Sequence, residues 1–329
     1  MQISNIDLMS IKTLLKILIL SFVFKTAIFA QQSSYHIHED SYYRKAMELF
    51  KKENYGAAQD FFQKAYDYYG NRSSVLKSKA QYYSALCAVK LFNEDAEYLT
   101  YSFIKENPEN PLINKALFNL AGYYYELKKY SKALLYYNRI NKNKLSEKEL
   151  AEYYFKVGYS HFKKDDLDNA RLAFNEIKDK KTRYTSPAIY YYSHINYSQG
   201  NYQTALDGFL RLSDDDTFSP IVPYYVTQIY FLQEKYEQVV EYAPGLLDKV
   251  TKSRHAEVSR ITGVSFYKLK RYKESTPYLK YYVDSAGNVT NDDKYQLAYA
   301  YYKSDEFDKA ATIFSKLTNE NSLLSHNAL

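Results

Sequence analysis

The sequence predicts an all-α chain, a solenoid of about eight stacked helix-turn-helix repeats. Three observations point there. Of 329 residues only 9 are Gly and 7 are Pro, so long stretches run without a backbone breaker, which favours helices over many short strands. Apolar and small residues recur at spacings of three and four, the period of a helix face. The same apolar order then returns about every 34 to 37 residues, the period of helix-turn-helix repeats.

Taken from the N-terminus, the first element is an address. Lys12 and Lys16 precede the apolar run Ile17 to Phe24, and Thr26, Ala27, Ile28, Phe29 and Ala30 lead into the polar Gln31 and Gln32. A basic start, a short apolar core and a small residue before a polar boundary describe a secretory signal peptide. Residues 1–30 are therefore expected to be removed after Ala30, leaving residues 31–39 as a flexible mature N-terminus. The apolar run is too short to span a bilayer comfortably, so no transmembrane segment is expected after cleavage. No Cys follows the cleavage point to carry a lipid. His36, His38, Glu39 and Asp40 are the one cluster with ligand-like chemistry. No closing ligand stands at metal spacing, and a solvated tail is the expectation.

The repeats follow. One helix carries an aromatic or Leu, then Ala three residues on, an aromatic after four more, and an apolar residue after another three. The order reads Tyr130, Ala133, Tyr137, Ile140, then Leu167, Ala170, Phe174, Ile177, then Tyr202, Ala205, Phe209, Leu212. It recurs as Phe307, Ala310, Phe314, Leu317 and, earlier, as Tyr55, Ala58, Phe62, Ala65. Tyr236 and Tyr272 open weaker copies with Val239 and Ser275 in place of Ala, and the poorest copy has Ala96 and a closing Pro108. Upstream of each lies a second stripe, such as Leu117, Leu120, Ala121, Tyr124, or Tyr154, Val157, Gly158, His161. Its small residue is expected to let the first helix of a pair sit close against the second. Short polar turns separate the two, and Gly200 can take a positive φ at little cost at a helix C-terminus.

Large–large–small–aromatic in the first helix, then aromatic–Ala–aromatic–apolar in the second, resembles the tetratricopeptide repeat. The resemblance covers about eight copies over residues 40–321 and implies a right-handed superhelical solenoid in which each pair completes its core on its neighbours. Residues 322–329 read as the start of a further, incomplete repeat helix, consistent with a longer repeat protein or a partner over that end. The signal exit followed by Tyr-rich repeats also resembles exported multi-repeat proteins of Bacteroidota.

In this family the first helices of the pairs carry the ligand contacts, in a concave groove. The resemblance places Tyr125, Phe155, Tyr159, Phe162, Tyr190, His194, Tyr197, Tyr224, Gln228, Phe231, Tyr267 and Tyr302 there. Two readings stay open: the rings pack between repeats and show only their edges, or they form a Tyr-lined trough for an extended peptide or helix. Rings stand where a carboxylate clamp for acidic chaperone tails would need Lys and Asn.

Other chemistry is not visible in the sequence. There is no glycine-rich phosphate loop, no Ser flanked by glycines and no Cys pair, so no catalytic residue, metal or cofactor is expected. Cys87 lies in an apolar run and is expected to be buried. Asp214, Asp215 and Asp216 are expected to cap or solvate a turn. A net charge of +6 without a long basic cluster argues against nucleic-acid binding. The expected function is a non-enzymatic scaffold or adaptor of the bacterial cell envelope, periplasmic or outer-membrane associated. It would bind a protein or peptide, plausibly within an outer-membrane complex for assembly or secretion. The alternatives are a glycan- or peptide-capturing receptor component, or the N-terminal regulatory module of a longer protein.

Overall fold

A computed structural model describes residues 41–318, apart from Asn71 and Ser73. The expected signal peptide, the segment 31–39, the His36–Asp40 cluster and the segment 322–329 lie outside the described residues. Those residues contain sixteen α-helices and no strand. The chain divides into two compact units, Met1–Leu145 and Ser146–Leu329.

The first unit holds three helix pairs: α1 (Ser41–Lys51) with α2 (Tyr55–Tyr69), α3 (Val75–Leu91) with α4 (Ala96–Glu106), and α5 (Ile113–Glu126) with α6 (Tyr130–Tyr137). The second holds five. They are α7 (Glu147–Lys163) with α8 (Leu167–Asn175), α9 (Thr185–Ser198) with α10 (Tyr202–Leu210), and α11 (Val222–Leu232) with α12 (Tyr236–Tyr242). After a 3-10 segment, Pro244–Lys249, come α13 (Lys252–Lys268) with α14 (Tyr272–Ser285), then α15 (Asn291–Lys303) with α16 (Phe307–Thr318).

Every pair is closed by the same backbone turn. One residue in each adopts the left-handed conformation: Glu53, Phe92, Lys128, Asp165, Gly200, Glu234, Lys270 and Asp305, with φ from 56° to 78°. The next residue donates its N–H to the carbonyl five positions back at 2.8–3.0 Å, as Asn54 does to Leu49 and Glu306 to Tyr301. This is the Schellman closure, which satisfies a carbonyl that the helix end would otherwise leave open. The expected positive φ of Gly200 is observed, at 78°. The seven non-glycine residues were not anticipated. Their side chains carry the steric cost of the left-handed region, which the hydrogen-bonded turn offsets.

The second helices bring the core. Ala58, Ala133, Ala170 and Ala205 are fully buried, as are Phe62, Tyr137, Phe174 and Phe209 four residues after them. The small stripe on the first helices works as expected. A Cβ on Gly158 of α7 would stand 3.0 Å from the Phe174 ring of α8, and one on Gly263 of α13 would stand 2.9 Å from the Leu279 main-chain nitrogen of α14. Ser275, at an alanine position, is buried and donates its hydroxyl to the Gly263 carbonyl at 2.7 Å. Cys87 is buried, and desolvation pushes its thiol up to about 12, so it is held as an inert thiol.

The second pair departs from the others, and the sequence pattern is weakest there for the same reason. Its turn runs longer, from Phe92 to the start of α4 at Ala96. Thr100 stands four residues after the buried Ala96 and donates to its carbonyl at 2.8 Å, while Phe103, one turn further on, fills the core. Phe314 of the last pair is only half-buried, unlike its counterparts.

Candidate functional site

The expected partner-binding residues fall into two rows with different packing that share Tyr197. Tyr125, Tyr197, Phe231, Tyr267 and Tyr302 end a first helix, and each meets the ring that opens the second helix of its own pair. The partners are Tyr130 at 6.0 Å, Tyr202 at 6.1 Å, Tyr236 at 5.8 Å, Tyr272 at 5.5 Å and Phe307 at 5.8 Å. These contacts bridge the left-handed turn, so the row staples each pair. Tyr125 lies in the first unit and the other four in the second.

The other row is brought together in the second unit. Phe155, Tyr159 and Phe162 of α7, Tyr190, His194 and Tyr197 of α9, and Tyr224 and Gln228 of α11 form a continuous band of ring contacts. Phe162 lies 5.8 Å from His194. His194 in turn lies 5.7 Å, and Tyr197 5.5 Å, from the Tyr225 ring. The Tyr197 hydroxyl donates to Gln228 Oε1 at 2.8 Å. All the expected groove residues are half-buried except Tyr302, which is 49% exposed. The rings therefore pack between repeats and still offer part of their surface.

Residues that the sequence reading missed hold this band in place. Tyr191 of α9 stacks on Phe174 of α8 at 5.3 Å and 16°, and Tyr225 of α11 stacks on Phe209 of α10 at 4.5 Å and 2°. In the first unit Tyr83 stacks on Phe62 in the same way, at 5.4 Å and 15°. Such face-to-face contacts between pairs add to simple burial. A second series lies at the band itself: Tyr184 stacks on Phe155 at 5.0 Å, and Phe218 stacks on Tyr190 at 4.9 Å. One repeat further on, the guanidinium of Arg254 lies over Tyr224 at 3.9 Å. These residues precede or open a helix, outside the heptad-like stripes, and only their repetition at the repeat period could have marked them.

Electrostatics at the band are quiet. Burial, and then the positive charge of Arg254, hold the His194 imidazole below its usual 6.5, so it is neutral at pH 7. Burial is also the first cause of the upward shift of the Tyr197 and Tyr224 hydroxyls. Asp215 caps its turn as expected, accepting from the N–H groups of Thr217 at 2.9 Å and Phe218 at 3.1 Å, and so orients Phe218 over Tyr190. Among the described residues no group of three or more His, Cys, Asp and Glu side chains could hold a metal ion, and no helix is long and apolar enough to cross a membrane.

With eight helix pairs closed by one turn and packed on one alternation of small and aromatic residues, the class is that of a helical repeat scaffold. Residues 294–322 match the tetratricopeptide repeat family model, and the helix pairs have the tetratricopeptide-repeat fold. No curated protein matches it in sequence. Among solved structures it is similar to a tetratricopeptide repeat protein from Parabacteroides merdae ATCC 43184. That match has 15% identity and a TM-score of 0.45, over 80% of this chain and 98% of that one. It is also similar to Pseudomonas aeruginosa PilF, at 17% identity and a TM-score of 0.42, over 64% of this chain and 93% of that one. A third is MamA of MSR-1, at 20% identity and a TM-score of 0.41, over 51% of this chain and 95% of that one. The fold is that of a protein-interaction scaffold.

Proposed function

We propose that the protein is a non-enzymatic adaptor that holds a protein or peptide segment along the ring band of α7, α9 and α11. The observation that carries this reading is the band itself: half-exposed Tyr and Phe rings, continuous over successive helices and already locked by stacking from behind. Tyr presents a large apolar face and a hydroxyl while losing little side-chain entropy, and a surface fixed in advance avoids part of the ordering cost of binding. The signal-like N-terminal sequence supports export to the bacterial cell envelope. There the adaptor would work in the periplasm or at the outer membrane, in assembly or secretion.

Photo-cross-linking in the cell tests both parts. A photo-reactive residue is placed at Tyr159 in the band, with a control at the exposed Asp207 of α10. A discrete protein trapped at Tyr159 but not at Asp207, from a chain whose N-terminus is Gln31, is expected. Equal labelling at the two positions, or none at Tyr159 in correctly exported material, would overturn the band as the binding surface.

A further inference from the structure

Resting on that reading of the band, we infer that its α11–α13 end recognises a carboxylate, so that the segment it holds is an acidic peptide with Arg254 as the charge-reading residue. The argument starts from the series of stacked pairs. Phe155 with Tyr184 and Tyr190 with Phe218 are rings on rings, one per repeat. At the third position the upper ring is replaced by the guanidinium of Arg254, 3.9 Å from the Tyr224 ring centroid and 5.3 Å from that of Tyr225. A planar guanidinium keeps the stack while adding a charge and a fork of N–H donors.

That charge is unanswered. Arg254 makes no ion pair among the described residues, whereas Arg260 on the same helix is engaged. Arg260 is bound through Nε at 3.1 Å and Nη2 at 2.8 Å to Glu257, which lies one turn after Arg254 and is occupied by that fork. Arg183, beside the first stacked pair, lies 3.6 Å from Glu152 and donates to the Tyr184 hydroxyl at 2.6 Å. His194, facing the same end, is neutral at pH 7, so Arg254 remains the uncompensated charge of the α11–α13 end. At the α7 end Lys163 lies over Tyr159 at 5.4 Å, and Arg183, held by Glu152, lies over Tyr184 at 4.8 Å.

The complement is a peptide with apolar or aromatic side chains against the first two stacked pairs and an Asp, Glu or terminal carboxylate against the third. A guanidinium already fixed on a ring binds a carboxylate with a strong, charge-assisted hydrogen bond. A polyanion fits less well, because Glu152 and Glu257 flank the band and one guanidinium without a carboxylate partner neutralises a single phosphate.

The probe is a phage-displayed library of random peptides, selected on the full mature chain and, in parallel, on Arg254→Gln. Wild type is expected to enrich apolar peptides bearing Asp or Glu, and the variant to enrich apolar peptides without that acid preference. A synthetic wild-type-selected peptide should then lose about tenfold in Kd when its Glu is replaced by Gln, the scale of one charge-assisted bond. This second measurement needs no variant protein. Apolar peptides selected without acid preference by wild type, or equal Kd for the Glu and Gln peptides, would overturn the role of Arg254 and leave the band standing. No peptide enriched by wild type, or oligosaccharides bound instead, would overturn the band together with it.

Discussion

The two units share one way of fastening a helix pair to the next, a stacked ring pair, and the first unit also uses another. In the second unit the fastening is made by rings, with Tyr191 on Phe174 and Tyr225 on Phe209. In the first unit the weak second pair lacks the aromatic that would stack, and a polar knot takes its place. Glu97 of α4 accepts hydrogen bonds from the Tyr124 hydroxyl of α5 at 2.6 Å, from the Tyr136 hydroxyl of α6, and from Lys132 Nζ at 3.0 Å. The Tyr124 and Tyr136 rings stack at 5.7 Å and Lys132 lies over Tyr124, so three helices meet on one carboxylate. Burial pushes the Glu97 carboxyl up, but its two hydroxyl donors and the ammonium pull it down to about 2. A repeat that loses its stacking ring can therefore still be joined to its neighbour, at the cost of a dependence on one carboxylate's charge, and so on pH below about 4.5.

The largest effect that separates the two designs comes from removing a ring. Phe209→Ala takes away a fully buried side chain together with its stack on Tyr225. It should cost about 3–5 kcal/mol in denaturant unfolding, with the loss confined to the second unit. A loss below about 1 kcal/mol would show that Tyr225 carries the joint by itself.

Overpacking comes next. Gly158→Leu drives a side chain into the Phe174 ring and should cost about 1–3 kcal/mol by the same measurement.

At the knot, Glu97→Gln keeps the shape and removes the charge. Because the Glu97 side chain is 35% exposed, screening trims the loss to about 1 kcal/mol. The pH profile sharpens the contrast. The lowered pKa of Glu97 gives a contribution that is complete above about 4.5 and is lost as pH falls from there towards 2. His194 binds its proton more weakly folded than unfolded, so the second unit should begin to lose stability as pH drops below about 6.5. Hydrogen exchange followed unit by unit against pH would show the second unit weakening first. The reverse order would break the assignment.

The smallest effect is at the turns. Gly200→Ala should cost about 1 kcal/mol and Lys128→Gly should gain somewhat less than that, read as opposite shifts in Tm.

Periodicity made most of the fold legible. The alternation of Ala and aromatic at helix spacing located seven second helices, and the small residue of the preceding stripe found the close approach at Gly158 and Gly263. The second pair was the least legible because Thr100 and Phe103 satisfy the core with another spacing. The band was half legible. Its groove rings follow the repeat, whereas Tyr184, Phe218 and Arg254 lie where helices begin and local amphipathicity carries no signal. The Glu97 knot was invisible, since it joins residues distant in sequence and depends on side-chain reach.

The backbone turns carry one further consequence. All eight left-handed residues are exposed, and the bond that closes each turn runs from main chain to main chain. The identity of these side chains is thus nearly independent of whether the hairpin forms. A Glu, Phe, Lys, Asp or Gly at this position yields the same closure, so the row of turns is a surface whose charge can be rewritten, one position per repeat, without renegotiating the architecture beneath it.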